Sequence, residues 1–130
     1  MTKTIERFED LDVWKLAVEC ANSIYDVTSV GKFSQDYILR DQIRRAAVSI
    51  FSNIAEGFER DGNKEFCNFL SIAKGSCGES RSQAIFARDR RYISDAEFNL
   101  ISDKPMQTNK QISGFRSYLR KTDMKGRKFS

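Results

Sequence analysis

The apolar residues of this 130-residue chain recur every three or four positions, and not every second one. That spacing is typical of amphipathic helices and not of strands. Proline occurs once and glycine seven times, so few residues interrupt a helix. The pattern predicts an all-α fold, and the short connections between its segments favour an antiparallel four-helix bundle.

Capping residues and breaks in the apolar pattern set the bounds of the predicted helices. They place the four helices at about 11–28, 35–57 or 37–57, 64–91 and 94–121. Asp10 is the expected N-cap of the first helix, and Gly57 is the expected C-terminal cap of the second. The stretch Ser-Asp-Ala-Glu at 94–97 is a capping box for the fourth. Pro105 lies inside that helix and lacks an amide proton, so we expect a kinked or broken last helix near 102–104.

The length and composition fit one compact domain. We expect an N-terminal arm at 1–10, the four-helix bundle at 11–121 and a basic C-terminal tail at 122–130. No stretch approaches the roughly 18 uninterrupted apolar residues of a membrane span, and the first ten residues lack the apolar stretch of a signal peptide. We therefore expect a soluble, cytoplasmic protein with no membrane partner.

The chain contains no histidine, so it lacks the commonest general base, the commonest zinc ligand and the Glu-x-x-His motif of di-iron bundles. Three cysteines without a CxxC spacing indicate buried thiols and not a disulfide framework. Glu56 and Glu79 could act as paired carboxylates between the second and third helices. A magnesium-dependent nuclease could use carboxylates alone, but no clustered Asp/Glu motif supports one. We expect a non-enzymatic protein with no metal and no cofactor.

The second predicted helix carries more apolar surface than one bundle core requires. Its apolar residues between 43 and 55 sweep roughly 200° of the helix, whereas a helix that buries one face needs about 100°. The surplus predicts a homo-oligomer interface at Arg44, Val48, Phe51 and Ala55. There the Arg44 guanidinium would pair with a carboxylate. The alternative is that the N-terminal arm "IERF" at 5–8 covers this face within one subunit.

The third predicted helix carries a stripe of small residues, namely Ser71, Gly75, Gly78 and Ser82. Each interior glycine costs about 1 kcal/mol relative to alanine. Close approach of another helix in an oligomer is the expected compensation, with a backbone contact to a ligand as the alternative. The remaining polar residues of these two helices are expected to be structural, and they are Arg45, Asn53, Glu56 and Glu79. Glu79 is a candidate partner for either arginine of the second helix.

The net charge of +4 comes from the C-terminal part of the chain. Residues 1–92 carry 14 basic and 14 acidic residues, whereas residues 93–130 carry 8 and 4. The basic residues on one arc of the fourth helix are Lys110, Arg116, Arg120 and Lys121, and those of the tail are Lys125, Arg127 and Lys128. Short hydroxyl residues lie between the helical cations, as suits contact with phosphate. These seven residues are the predicted nucleic-acid-binding set, and a merely solvated charged face is the alternative.

Four segments together resemble a known family. They are "FEDLDVWKLA" at 8–17, "QIRRAAVSIFSNIAEGF" at 42–58, "KEFCNFLSIAKGSCGE" at 64–79 and "YISDAEF" at 92–98. In order and in kind they are similar to the four-helix-bundle proteins encoded in intervening sequences of bacterial 23S ribosomal RNA genes. Three positions depart from that family's pattern: Phe51 stands where the family usually has proline, Arg90 and Arg91 stand in place of Leu-Gly, and Pro105 is unusual in the last helix.

The resemblance implies a bundle that assembles into a homopentamer, with RNA binding suspected from the genetic context of the family. A fold relative, the accessory variability protein of diversity-generating retroelements, is a basic pentamer that binds a reverse transcriptase and nucleic acid. Together these observations predict an oligomeric scaffold that binds the phosphate backbone of RNA or DNA through the basic last helix and tail. The alternative is a protein-interaction adaptor for a nucleic-acid enzyme such as a reverse transcriptase.

Overall fold

A computed structural model describes residues 5–122 of the chain, and within that range the secondary structure is helical. The α-helices are α1 (Asp12–Thr28), α2 (Gly31–Gln35), α3 (Tyr37–Glu59), α4 (Asn63–Asp89) and α5 (Asp95–Thr122), and a 3-10 turn at Phe8–Asp10 precedes α1. None of these helices has the length and apolar character needed to cross a lipid bilayer.

The four long helices form an antiparallel bundle, as the sequence predicts. Helix α3 packs between α1 and α4, and α5 closes the bundle by packing on both α4 and α1. The side-chain amide of Asn63, at the start of α4, donates a 3.0 Å hydrogen bond to the carbonyl of Leu119, near the end of α5. One end of the bundle therefore gathers the starts of α1 and α4 with the ends of α3 and α5.

The core is mostly apolar, and Phe66 of α4 shows how it joins helices. Its ring is fully buried and makes edge contacts with Phe58 of α3 and Phe115 of α5, at centroid distances of 6.1 and 5.3 Å. Each such aromatic pair contributes about 0.5–1.5 kcal/mol beyond the burial of its surface. Three helices thus meet on one side chain.

Two predicted helix starts are confirmed by their caps. The Asp36 carboxylate accepts a 3.0 Å hydrogen bond from the Leu39 amide and a 2.9 Å bond from the Tyr92 hydroxyl. The Leu39 amide chiefly, and the Tyr92 hydroxyl next, lower the pKa of Asp36. At the start of α5 the Ser94 hydroxyl and the Glu97 carboxylate each accept a bond from the other's backbone amide, which is the predicted capping box.

Two predicted caps are wrong. Asp10 lies in the 3-10 turn, and α1 begins after Leu11 without a side-chain cap. Gly57 does not end the second long helix, because α3 continues to Glu59. A Cβ atom at Gly57 would lie 2.8 Å from side-chain atoms of both Phe66 and Phe69. The glycine therefore permits close approach of α3 and α4, and its role is in packing.

The sequence predicts a last helix that is kinked or broken near 102–104. The helix is not broken, since α5 is continuous from Asp95 to Thr122, and a kink stays a prediction. The missing amide removes one hydrogen bond, to the carbonyl of Ile101. Ile101, Ser102 and Pro105 are all buried against the bundle. Packing on the neighbouring helices therefore holds the chain helical through the proline, as tertiary contacts often override local propensity.

The connections on the far end of the bundle contain two features that the apolar pattern does not show. Helix α2 lies where the sequence predicts a break between the first two helices. Its Phe33 is fully buried, and the Phe33 ring is tilted against the Tyr92 ring with the two centroids 5.9 Å apart. Arg91, just after α4, has a φ of 62°. This left-handed conformation favours glycine and costs an ordinary residue about 1–2 kcal/mol. Arg91 thus adopts a glycine-like conformation at a position where the family resemblance implies glycine.

Candidate phosphate-binding interface

The start of α4 is held against the end of α5 by polar contacts. Besides its bond to Leu119, the Asn63 amide lies 3.4 Å from the Thr122 hydroxyl, and the Cys67 thiol lies 3.8 Å from the Arg116 carbonyl. Asn63 is only 1% exposed. These contacts give the cations of the two helices defined relative positions.

A cleft of about 300 Å³ opens between α4 and α5 beside these contacts. Its lining residues, which we call the basic cleft, are Asn63, Lys64, Cys67, Asn68, Arg116 and Arg120. Among residues 5–122, no carboxylate lines it, and neither Lys64, Arg116 nor Arg120 forms an ion pair. The Nε atom of half-buried Arg116 is enclosed and has no hydrogen-bond partner in the described part of the chain. Three uncompensated cations thus converge on one concave site, where a positive potential attracts anions.

Two more cations lie along the same side of α4. Lys74 and Arg81 follow Cys67 by seven and fourteen residues, so the helical repeat places them on the side that faces α5. Both side chains are partly buried, and the Nε atom of Arg81 is also enclosed without a partner. Together with the basic cleft they form a cationic track, which we call the α4–α5 groove.

The structure divides the predicted nucleic-acid-binding residues into three groups. Arg116 and Arg120 line the basic cleft, as a shared site requires. Lys110 and Lys121 are exposed on α5 and do not line it. The three tail cations, Lys125, Arg127 and Lys128, lie outside the described residues.

Sequence reasoning missed Lys64, Lys74 and Arg81 because it searched for cations on one helix. The available signal was the recurrence of basic residues at 64, 74 and 81 on a helix that the pattern already predicts to pack against the last one. A charged residue at the edge of a buried stripe lies beside the neighbouring helix. Which side chains of α4 lie beside α5 could be known only from the packing.

Arg44, a predicted interface residue, is bound within its own chain. Its guanidinium donates to the hydroxyls of Thr28 (2.8 Å) and Ser29 (3.2 Å), and it lies over the ring of Tyr25 at 4.5 Å. Within residues 5–122 no ion pair includes Arg44, and its pairing with a carboxylate at an oligomer interface stays a prediction. Hydroxyls at the end of α1 and an aromatic face supply the contacts instead. Val48, one turn further along α3, is half-buried.

Phe51 and Ala55 line a cavity of about 490 Å³ between α1, α3 and the N-terminal turn. Its lining residues, which we call the aromatic cavity, are Phe8, Trp14, Phe51, Ser52, Ala55, Glu56 and Glu59. The ring of Phe8 makes an edge contact with Trp14 at 5.3 Å. The N-terminal arm therefore covers part of the surplus apolar face, in line with the single-subunit alternative.

The small-residue stripe of α4 faces outward. The four residues Ser71, Gly75, Gly78 and Ser82 are all exposed, and a Cβ atom at either glycine would meet no atom within 4 Å. Ile72 and Phe86 flank the stripe and are 52% and 51% exposed. An interface on this surface stays a prediction.

The predicted structural polar residues divide between seam and surface. Asn53 donates to the carbonyl and hydroxyl of Ser49 at 2.8 and 2.9 Å, and the Ser76 hydroxyl joins Ser49 across α3 and α4 at 2.9 Å. Glu56 pairs with Arg60 at 3.0 Å, one turn away on α3. Arg45 and Glu79 are exposed and share no ion pair within the described chain, so the suggested pairing of Glu79 with either arginine is wrong there.

Two of the three cysteines, Cys20 and Cys77, are not activated for chemistry. Burial raises the pKa of both Cys20 and Cys77 to about 12, which keeps these thiols protonated at neutral pH. Within residues 5–122, no group of three or more cysteine, aspartate or glutamate side chains is arranged to hold a metal ion.

Comparison with known proteins points to one family and one fold. The family model described as 23S rRNA-intervening sequence protein matches residues 9–114. A solved structure of a protein of unknown function, from the S23 ribosomal protein family of Bacteroides thetaiotaomicron, is 22% identical with a TM-score of 0.73. The likeness covers 80% of this chain and 97% of that one, and at this identity it shows the fold alone. No curated protein is similar enough to count as a relative.

Proposed function

Because the chain belongs to the 23S rRNA-intervening sequence protein family, we propose that it is a non-enzymatic scaffold that binds the phosphate backbone of nucleic acid along the α4–α5 groove. The basic cleft carries this proposal: Lys64, Arg116 and Arg120 line one concavity, and no carboxylate within residues 5–122 lines it. Lysine and arginine are the side chains that most often contact phosphate oxygens. The amide of exposed Asn68 adds a neutral hydrogen-bonding group to the same wall.

The contacts should carry little sequence information. Phosphates are the same at every nucleotide, and none of the lining residues is aromatic, so the cleft offers no surface on which a base could stack. With three phosphate contacts per chain, affinity should fall about 20- to 40-fold when salt rises from about 50 to about 200 mM. The basic residues of the tail follow α5 directly and would extend the same contact.

The scaffold is proposed to be a homo-oligomer, with the homopentamer of the family resemblance as its form. The open stripe on α4 supports this, because two glycines and two exposed apolar residues, Ile72 and Phe86, lie on one outward face. Repetition of a modest cleft around a ring raises affinity for one long strand through avidity. The reducing cytoplasm is the proposed compartment, since all three cysteines are thiols in the described part of the chain.

The test is a matched pair of charge reversals. Lys64→Glu with Arg120→Glu changes two exposed residues of the cleft, and Lys15→Glu with Lys32→Glu makes the same change of net charge at two exposed positions on α1 and α2. Binding to labelled RNA and to single- and double-stranded DNA is measured by fluorescence anisotropy. The cleft variant should lose about 100-fold, because two charged contacts of at least 1.5 kcal/mol each are removed. Equal binding by both variants would contradict the proposal.

A second candidate function is an adaptor for a nucleic-acid enzyme such as a reverse transcriptase. The exposure of Ile72 and Phe86 beside the small-residue stripe favours it, since aromatic and apolar anchors dominate protein interfaces. A partner held by apolar burial stays bound at high salt, whereas phosphate contacts are lost. Retention of the enzyme in about 1 M salt, where the Debye length is about 3 Å, therefore separates the two functions.

A further inference from the structure

The aromatic cavity has a composition that the proposed function does not use. Three rings, from Phe8, Trp14 and Phe51, form its walls and come from the N-terminal turn, α1 and α3. Its volume of about 490 Å³ falls in the range of small-molecule sites, about 300–1,000 Å³. Its walls come from three separate elements, and the cavity is open to solvent.

Among residues 5–122, the charged side chains that line this cavity are acidic. They are Glu56 and Glu59, and no lysine or arginine of that range lines it. The two glutamates are three residues apart on α3, so their Cβ atoms are about 5–6 Å apart on one side of the helix. Glu59 forms no ion pair within residues 5–122, and Glu56 has only its exposed pair with Arg60. An exposed pair of that kind contributes about 0–1 kcal/mol and yields readily to a competing cation.

We propose that the aromatic cavity binds a short aliphatic diamine. The methylene chain would lie against the rings of Phe8, Trp14 and Phe51, and the two ammonium groups would pair with Glu56 and Glu59. Ammonium groups are attracted both to carboxylates and to the faces of aromatic rings, with tryptophan the strongest. A neutral ligand of the same shape gains only the apolar part, and an anion is repelled by both glutamates.

The proposal uses no residue of the α4–α5 groove, so it stands or fails independently of nucleic-acid binding. The N-terminal turn already covers one side of the cavity through the contact of Phe8 with Trp14. A second copy of the chain is therefore a less suitable occupant than a small ligand, and the test below includes it as a contrary outcome.

Trp14 is the only tryptophan of the chain and lines the cavity, so its fluorescence reports on occupancy. The full chain is titrated at constant ionic strength with 1,5-diaminopentane, 5-aminopentan-1-ol and pentane-1,5-diol, which carry two, one and no ammonium groups. The emission change should saturate, with affinity falling at each step of the series. In Glu59→Gln the affinity for the diamine should fall at least tenfold. Glu65 is an exposed carboxylate of α4 outside the cavity, so in Glu65→Gln the affinity for the diamine should not change.

Three results would overturn the proposal. Equal affinity for the diol and the diamine would show simple apolar partition, and an unchanged affinity in Glu59→Gln would remove the carboxylate from the site. If quenching of Trp14 by acrylamide weakens as the protein concentration rises and the diamine has no effect, another copy of the chain covers the cavity. Calorimetric titration of the same variants repeats the comparison without depending on the fluorescence of Trp14.

Discussion

The basic cleft and the aromatic cavity lie at the same end of the bundle yet have opposite chemistry. The cleft, on α4 and α5, is lined by three cations and two amides, whereas the cavity, on α1 and α3, is lined by three rings and two carboxylates. The seam between α3 and α4 separates them. A small bundle can therefore present two distinct binding surfaces, because each pair of neighbouring helices forms its own groove. The net charge of +4 describes neither surface.

The largest expected effect concerns the seam that separates the two sites. Gly57→Ala places a methyl group 2.8 Å from Phe66 and Phe69, so α3 and α4 must move apart. We expect a loss of about 2 kcal/mol in the free energy of unfolding, as is typical of overpacking. Urea denaturation measures it.

Gly75→Ala is the matched control, because its new methyl group meets no atom within 4 Å. The helix should gain up to about 1 kcal/mol from the better propensity of alanine. A Gly57→Ala protein as stable as the wild type would show that the seam is loose. A Gly75→Ala protein that loses stability or self-association would instead show that another chain packs on the stripe.

A smaller effect is expected where the N-terminal turn covers the aromatic cavity. Phe8→Ala removes a half-buried ring and its edge contact with Trp14, which should cost about 1–2 kcal/mol and shift the emission of Trp14 to longer wavelength. Phe86→Ala removes a ring that is 51% exposed on α4, so it should lower the free energy of unfolding of the monomer by less than about 0.5 kcal/mol. Unchanged emission in Phe8→Ala would mean that the turn does not shield the cavity.

The smallest effect is expected for the labelling of the buried cysteines in the core beneath both sites. With a pKa of about 12, Cys20 and Cys77 are thiolates to only about one part in 10,000 at pH 8. In a Cys67→Ser variant, a thiol reagent should therefore label the native protein negligibly and the unfolded protein at both cysteines. In the unfolded chain the pKa of these thiols is near the ordinary value of 9.0. The stability that depends on keeping the two buried thiols protonated is therefore full below pH 9 and is lost as the pH rises above 9. Rapid labelling of the native variant would refute the closed core.

The local parts of the fold could be predicted from the sequence. Helix periodicity, the Asp36 cap and the capping box at Ser94 depend on residues within a few positions of one another. Errors arose where a residue has two possible roles. Gly57 suits a helix end as well as a close contact between helices, and only the position of Phe66 and Phe69 distinguishes the two. Pro105 likewise stays helical because of what it packs against.

The candidate sites were predicted less completely, for the same reason. Arg116 and Arg120 were found because they share a helix, while Lys64 meets them only through the packing of α4 on α5. Arg44 was correctly singled out as unusual, yet its partners Thr28 and Ser29 belong to another helix. The aromatic cavity was not predicted at all, since its walls come from three separate elements.

By itself, the sequence determined that this protein is a bundle of amphipathic helices, where most of those helices begin and which side of each is apolar. These properties follow from interactions between residues one or two turns apart, which act in the same way in any tertiary setting. Only the tertiary structure decided which charges converge, which apolar residues stay exposed and which glycines touch a neighbour. Those outcomes depend on helices far apart in sequence meeting in a particular order, and only the packing of their side chains fixes that order.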